Sequence, residues 1–557
     1  MTAALGTLAV VAGAASLAGT GPTSWSSTPP RLPLMCRFRV PVVCLALVLL
    51  AGACAKADSP VDAESRGVEG VLPPDAADVM QQEPYRHAQW SWYVADLETG
   101  DVLSSNNADL HVLTGSTAKL FTVGTAYELL GVDTTLTTSV YALGDHADGT
   151  LVGDLVLVGA GDFVLGSRGA IEGRVEYGEP GDHVYAYASP LVKLVDDDPL
   201  AGLDGLAVDI ASGGITNVDG DVLVDDRLWE PFTTKEGVVT SAVVNDNLLD
   251  ITVSAAASAG QPAVLAARPE TAYFEVVNHV ETTADGDTTL VAEEGDENQV
   301  VVSGTIPVGA DPAISAYFAP DPSAYTRALF MEALERAGIT VTVEVGSAPG
   351  ELPAEDSYRG GDLVASLESP TLTRLGDLIL NTSHNRGAET FLCLLAARAG
   401  STECTDGLAP IREVIAQAGI GDSAVFSVDG EGSDPNATTP RAMVQLLAWA
   451  ADQGWGETYR SGLPILGERG SLIEVGRDSP ARGKVQAKSG TSAGVEPDTG
   501  RTYLSTKSEA GYIDAASGRT LVFSIFVTGP VFASVAEGIT VPGDDIGEVL
   551  AVFQQEF

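Results

Sequence analysis

The sequence predicts an α/β fold in which a helix-and-strand domain is split by a long, β-rich inserted region. Three observations carry this. Strand-like and helical runs mix over the first 150 residues. Between Leu151 and Leu363 short β-branched runs alternate with Gly, Asp and Pro. From Ser366 onward helical patterns return, before two closing strands. With 557 residues and 45% hydrophobic content, the chain can build two or three domains, each with its own core. Its 76 Asp and Glu against 30 Lys and Arg give a net charge of −46. Such a surface repels nucleic acid and anionic headgroups, which argues against both as partners.

Residues 1–55 read as an export segment with its true start at Met35. Arg37 and Arg39 form a positive n-region ahead of the apolar run Val40–Leu50, which is too short to span a membrane. That run enters "LLAGAC", similar to the cleavage box of bacterial lipoproteins, with Cys54 as the lipidated residue and Ala51 where leucine is usual. Simple secretion is the alternative. Residues 56–84 are acidic, contain proline, lack apolar periodicity and read as a tether. Of the five cysteines, Cys36 and Cys44 leave with the signal and Cys54 takes lipid. Cys393 and Cys404 remain, and an even pair in an exported chain suggests a disulfide. The other reading is two free thiols, one buried in the helix around "ETFLCLLAARAG".

Order is expected from about Trp90. "WSWYVADLETGDVLSSNN" predicts a hairpin turning at Glu98–Asp101, followed by the helix of "GSTAKLFTVGTAYELLG". The division that results is residues 85–150 plus 364–557 for the main domain and 151–363 for the insertion. Within the insertion "PSAYTRALFMEALERAG" is the one clear helix. The closing strands are "SEAGYIDAAS" and "RTLVFSIFVTG", and the last helix lies around "GEVLAVFQQ".

Ser116 stands three residues before Lys119, and residues i and i+3 share a helix face. A hydroxyl is therefore set beside an amine, at the positive end of a helix. Serine needs a base to act as a nucleophile, and a lysine serves when burial or cationic neighbours lower its pKa. Leu120, Phe121, Val123, Ala126, Leu129 and Leu130 behind the pair recur at core spacing. Alone, S-x-x-K is a weak pattern, equally a helix N-cap and a solvated lysine. Two further elements follow in order: "NTSHNRGAET" with Ser383 and Asn385, and "VQAKSGTSAG" with Lys488, Ser489 and Gly490 on a predicted strand. S-x-x-K, S-x-N and K-[ST]-G form a known set in acyl-serine enzymes. The chain has seven lysines, and two fall in these ordered motifs.

With these motifs, the sequence resembles the class C penicillin-binding proteins, D-alanyl-D-alanine carboxypeptidases and endopeptidases with a long insertion between the first two motifs. "VVTSAVVNDN" followed by "AGQPA", "VSGTIPVG", and "GLPILGERGSL" ahead of "AKSGT" also look like segments of that family. The resemblance implies a penicillin-binding-protein/β-lactamase-like transpeptidase domain, an antiparallel sheet flanked by helices. It implies peptidoglycan stem peptides as substrate, β-lactams as covalent inhibitors and no cofactor. Carried over, Ser116 is the nucleophile, Lys119 its base, and Ser383 the relay to the leaving amine. Asn385 holds a substrate amide, Lys488 supplies positive potential for the terminal carboxylate while Ser489 hydrogen-bonds to it, and backbone N–H groups of Ser116 and Thr491, beside Gly490, form the oxyanion hole.

Three departures bear on substrate preference: K-S-G for K-T-G, Phe163 in "GAGDFVLG" where proline is usual, and "DGEGSDPN" for D-G-S-G-L-S. His384 reads as a bystander lining the cleft. The other histidines show no metal-ligand spacing, so no metal site is expected. A silent wall-binding scaffold is the reading from another class, and the intact motifs oppose it. A β-lactamase is disfavoured by the long insertion and by the missing deacylation motif.

Overall fold

The computed structural model describes residues 69–557, apart from 172, 188, 190, 191, 297, 355, 356 and 360. The export segment with Cys54, and the tether as far as residue 68, lie outside the described residues. Along the chain, helix α1 (Pro74–Met80) and the hairpin β1 (Gln89–Asp96) and β2 (Val102–Asn106) precede helix α2 (Lys119–Leu130). The inserted region runs through β3 (Thr137–Ala147), β4 (Thr150–Val158), α3 (Ala201–Ser212), β5 (Asn217–Asp219), β6 (Val222–Asp225) and β7 (Leu248–Ser254). It continues with β8 (Val264–Arg268), β9 (Glu275–Thr283), β10 (Thr289–Glu294), β11 (Gln299–Pro307), β12 (Ala313–Phe318), α4 (Pro322–Arg336), β13 (Thr340–Val341) and β14 (Asp362–Glu368). Then come α5 (Leu372–Thr382), α6 (Asn385–Arg398), α7 (Leu408–Gln417), α8 (Pro440–Ala451), β15 (Val485–Val495), β16 (Thr502–Asp514), β17 (Thr520–Thr528) and α9 (Val535–Glu556).

The main sheet has the order β2-β1-β17-β16-β15 and is antiparallel throughout, with short strands at Glu69–Gly70 and Val531–Phe532 bringing it to seven. Asp96 shapes the β1–β2 turn by accepting from the N–H groups of Glu98 and Thr99. Strand β17 is buried along both faces, so it reads as a continuous apolar run. One face packs against α8 and the helices around α2; the other packs against α1 and α9. Helix α2 is buried on all sides, Thr122 and Thr125 included, while Leu129 and Leu130 at its end are half-buried. Cys393 of α6 and Cys404 are joined by a disulfide.

Strands on both sides of the expected limits at residues 151 and 363 share one sheet. β3 pairs with β4 and with β14, in a six-stranded sheet of order β13-β5-β4-β3-β14 with β6 beside β4. The chain crosses at a two-stranded neck. Ser369 N donates to Leu136 O at 2.8 Å, and Leu136 N donates to Ser369 Oγ at 2.9 Å. The Gly- and Asp-rich texture also hides α3, whose Leu203, Leu206 and Ile210 pack with α4 against this sheet. Two three-stranded sheets, β8-β7-β12 and β9-β11-β10, and two short two-stranded ones, Ala170–Ile171 with Arg174–Val175 and Phe232–Thr234 with Gly237–Val239, complete the insertion among the described residues.

The tether also ends earlier than expected. Ala76, Val79 and Met80 sit at i, i+3 and i+4 of α1 and are buried in the core that α1 shares with α9. Pro74 opens the helix at its first turn, where its missing N–H costs nothing. Seven residues are too few to show a period, so the acidic flanks dominate the sequence pattern. Met80→Ala is expected to lower stability by about 2 kcal/mol, the low end for truncating a buried methionine, read as a lower denaturant midpoint at unchanged slope.

Candidate active site

Two glycines bring the elements of the site together. Gly115 has φ +50°, and a Cβ there would lie 2.8 Å from Thr491 N. A Cβ on Gly490 would lie 2.6 Å from Thr114 O and 2.9 Å from Ser116 N. Only residues without a side chain allow strand β15 to approach the start of α2 this closely. The N–H groups of Ser116 and Thr491 are thereby placed on neighbouring backbone.

Lys119 is fully buried. Its Nζ donates to Ser116 Oγ at 2.8 Å, to Asn385 Oδ1 at 2.6 Å and to the backbone carbonyl of Glu431 at 2.7 Å. Three oxygens satisfy three N–H donors, and none belongs to a carboxylate. Burial pulls the Lys119 pKa down to about 8, although Glu431, Glu236, Glu389 and Asp429 pull the other way from a distance. An amine near that value is partly neutral at physiological pH and can take the proton of a hydroxyl it touches.

Asn385 opens α6. Its Oδ1 faces Lys119, and its Nδ2 donates to Glu236 Oε1 at 2.5 Å. Glu236, from the turn between Phe232–Thr234 and Gly237–Val239, also accepts from Tyr187 O–H at 2.9 Å. Ser383 closes α5 in the left-handed region, at φ +64°, and its carbonyl accepts from Tyr185 O–H at 2.5 Å. Lys488 Nζ donates to Ser383 Oγ at 2.9 Å and to Ser489 O at 2.7 Å. Burial holds the Lys488 pKa well below its usual value, and the charges of Lys119 and Lys507 add to that. A cleft of about 400 Å³ opens over this assembly, lined among others by Ser116, Ser383, Asn385, Ser489, Gly490 and Thr491. The three motifs thus meet, Lys119 and Lys488 each touching a motif serine.

His384 does not line the cleft. It is fully buried, its Nδ1 accepts from Gly387 N at 2.9 Å as the N-cap of α6, and its Nε2 donates to Asp246 Oδ1 at 2.7 Å. Two chemical roles explain the residue: it caps a helix and it fastens that helix to the insertion. Asp246 lies in "VVTSAVVNDN", where Asn245, Asp246 and Asn247 all have φ near +50°. It pairs with Arg168 at 2.8 Å and with His183 Nε2 at 3.0 Å, while His183 Nδ1 lies 3.0 Å from Asp250. Burial alone would raise the Asp246 pKa, but His384 and Arg168 beside it hold it well below the usual carboxylate range.

Sequence patterns did not single out Glu236, Asp246, Glu389 or Glu431. Glu389 Oε1 accepts from the N–H groups of Gly430 and Glu431, which turns the Glu431 carbonyl toward Lys119. Burial, with Asp429 and Glu431 nearby, pushes Glu389 up to about 8. Three of them lie in segments quoted for other reasons, Asp246 in "VVTSAVVNDN", Glu389 in "NTSHNRGAET" and Glu431 in "DGEGSDPN", but the groups they hold lie elsewhere in the sequence. Asp246→Ala leaves Arg168, His183 and His384 buried without their shared carboxylate. It is expected to cost about 3–5 kcal/mol, read as a lower unfolding midpoint.

The model of the D-Ala-D-Ala carboxypeptidase 3 (S13) family matches residues 74–547. A D-alanyl-D-alanine carboxypeptidase of Actinomadura sp. (strain R39) is 28% identical over 477 residues, covering 80% of this chain and 80% of its own. A penicillin-sensitive carboxypeptidase A of Dictyostelium discoideum is 26% identical over 289 residues, covering 49% of this chain and 53% of its own. Among solved structures, penicillin binding protein 4 from Haemophilus influenzae shares the fold with a TM-score of 0.64 at 18% identity, covering 86% of this chain and 98% of that one. The family match begins at the first residue of α1 and ends within α9, so it takes in both halves of the split domain and the insertion between them. This protein belongs to the D-Ala-D-Ala carboxypeptidase 3 (S13) family.

Proposed function

We propose that Ser116 is the nucleophile of a serine-type D-alanyl-D-alanine carboxypeptidase acting on peptidoglycan stem peptides, with Lys119 as its base. The observation that carries this reading is the 2.8 Å contact from Lys119 Nζ to Ser116 Oγ, made by a buried amine that no carboxylate touches. Ser116 Oγ attacks the carbonyl carbon between the two D-alanines while its proton passes to neutral Lys119 Nζ. The oxyanion forms beside the N–H groups of Ser116 and Thr491, where one lost donor costs roughly a hundredfold or more in rate. As the C–N bond breaks, the leaving amine takes its proton through Ser383 Oγ, which Lys488 orients. Water then attacks the ester carbonyl and releases Ser116. A β-lactam enters in the same way, but its amine stays attached to the acyl group. Asn385 holds the substrate amide, and Ser489 and Gly490 line the carboxylate end. Endopeptidase cleavage of D-alanyl cross-links uses the same chemistry on a longer substrate.

Fluorescent penicillin should label the wild-type chain at Ser116, read by denaturing gel and peptide mass, and should leave Ser116→Ala unlabelled. Lys119→Ala should fold and lose nearly all labelling; unchanged labelling would remove Lys119 from the mechanism. Because the base works unprotonated, the wild-type labelling rate should fall by about tenfold per pH unit below about 8 and level off above it.

The protein acts outside the cytoplasm, on the cell wall. Among the described residues no helix is long and apolar enough to cross a membrane. We infer an N-terminal lipid anchor at Cys54, from the positive segment and apolar run that precede it. Mass spectrometry of the mature N-terminus should find a diacylglyceryl-modified Cys54. An unmodified peptide starting beyond it would establish secretion instead.

A further inference from the structure

The cleft lining holds two cations that the three motifs do not include: Lys235, exposed on the turn that carries Glu236, and Lys507. Lys488 is fully buried, is absent from the cleft lining, and spends two donors on Ser383 Oγ and Ser489 O. Lys507 does line the cleft, on the same wall as Ser489 and Thr491. It stands opposite Thr491 across the β15–β16 ladder, and its Nζ donates to Thr491 Oγ1 at 3.1 Å.

The donor count gives this contact a direction. An ammonium has three donors and no acceptor, so the Thr491 hydroxyl must accept and its own proton must point elsewhere. Thr491 is exposed to the cleft. Among the described residues Thr491 Oγ1 is the acceptor that Lys507 reaches, and no carboxylate forms an ion pair with it. Two of its N–H groups are therefore open to the cleft, with Asp544 acting on the amine only through its charge, so they can meet an anionic guest. Glu509, two residues along the same face of β16, does not supply one: it is buried with neither carboxylate oxygen hydrogen-bonded. Burial pushes Glu509 up to about 7, so near neutral pH it only partly offsets the lysine's charge.

We propose that Lys507 is a substrate-binding residue. With the hydroxyls of Thr491 and Ser489 it makes the direct contact to the C-terminal carboxylate of the D-Ala-D-Ala end and to the carboxylate of penicillins. Lys488 acts from behind, holding Ser383 and adding positive potential. This assignment rests on the function proposed above and names the group in that site which selects an anionic terminus.

The test compares benzylpenicillin with its uncharged methyl ester as acylating agents for the full chain. In the wild type the free acid should acylate Ser116 faster than the ester. Lys507→Met should slow the acid by about tenfold, the size of one lost charge-assisted hydrogen bond, and leave the ester rate unchanged. Lys507→Arg should retain the preference for the acid. Because Lys507→Met also removes the cation beside Glu509, the double variant Lys507→Met with Glu509→Gln repeats the measurement without that buried charge. Equal loss for acid and ester, or an acid preference that survives in both Met variants while the wild type acylates normally, overturns this inference alone. A folded wild type that neither agent acylates overturns the proposed function and this inference together.

Discussion

The site depends on burying one amine without giving it a counter-ion in contact. A lysine closed off from water is costly unless its donors are met, and a touching carboxylate would keep it charged and useless as a base. Lys119 escapes both by donating to one hydroxyl, one amide and one backbone carbonyl. Each acceptor is then held in place by something else. Glu236 takes the Asn385 N–H₂, so the amide oxygen must face Lys119. Glu389 takes the N–H groups of Gly430 and Glu431, so the Glu431 carbonyl faces in. Gly115 and Gly490 permit the close approach that sets Ser116 beside strand β15.

The inserted region is part of this arrangement. Ser383, His384 and Asn385 are consecutive, and each is held by a different residue of the insertion: Tyr185 on the Ser383 carbonyl, Asp246 on the His384 ring, and Glu236 on the Asn385 amide. The middle motif therefore has its position fixed from the side opposite the main domain. Asp246 itself is held by Arg168 and His183, deep inside the insertion. Substitutions far from the cleft can for this reason change the chemistry at Ser116.

The sequence carried all three motifs, Ser116 and Lys119 in the first of them, because each is a short pattern on a regular element, and periodicity located the elements that present them. Residues such as Glu236 and Asp246 were not legible, since the motif residues they hold, Asn385 and His384, lie 149 and 138 residues away and carboxylates are abundant in so acidic a chain. His384 illustrates the same limit. Its neighbours in sequence belong to the cleft, but its ring turns inward to a partner that the sequence does not mark. Strands β3 and β4 form one hairpin across residue 150, a pairing that the turn residues there did not reveal. Helix α1 was too short, and α3 too rich in Gly and Asp, to show a period.

The topology also sets an order of assembly. Gln89, near the start of the described chain, pairs with Thr528 near its end, so the main sheet is joined through almost the full length of the protein. The insertion is bounded by its own neck at Leu136 and Ser369 and contains its own sheets, helices and core. During synthesis it can compact while β1 and β2 still lack β17. Until the last strands emerge, the backbone edge of β1 that pairs with β17 stays open. A chain cut short before residue 520 would thus hold a complete Ser116–Lys119 pair in sequence and no β17 to join the β1–β2 hairpin to β16 and the strand of the third motif.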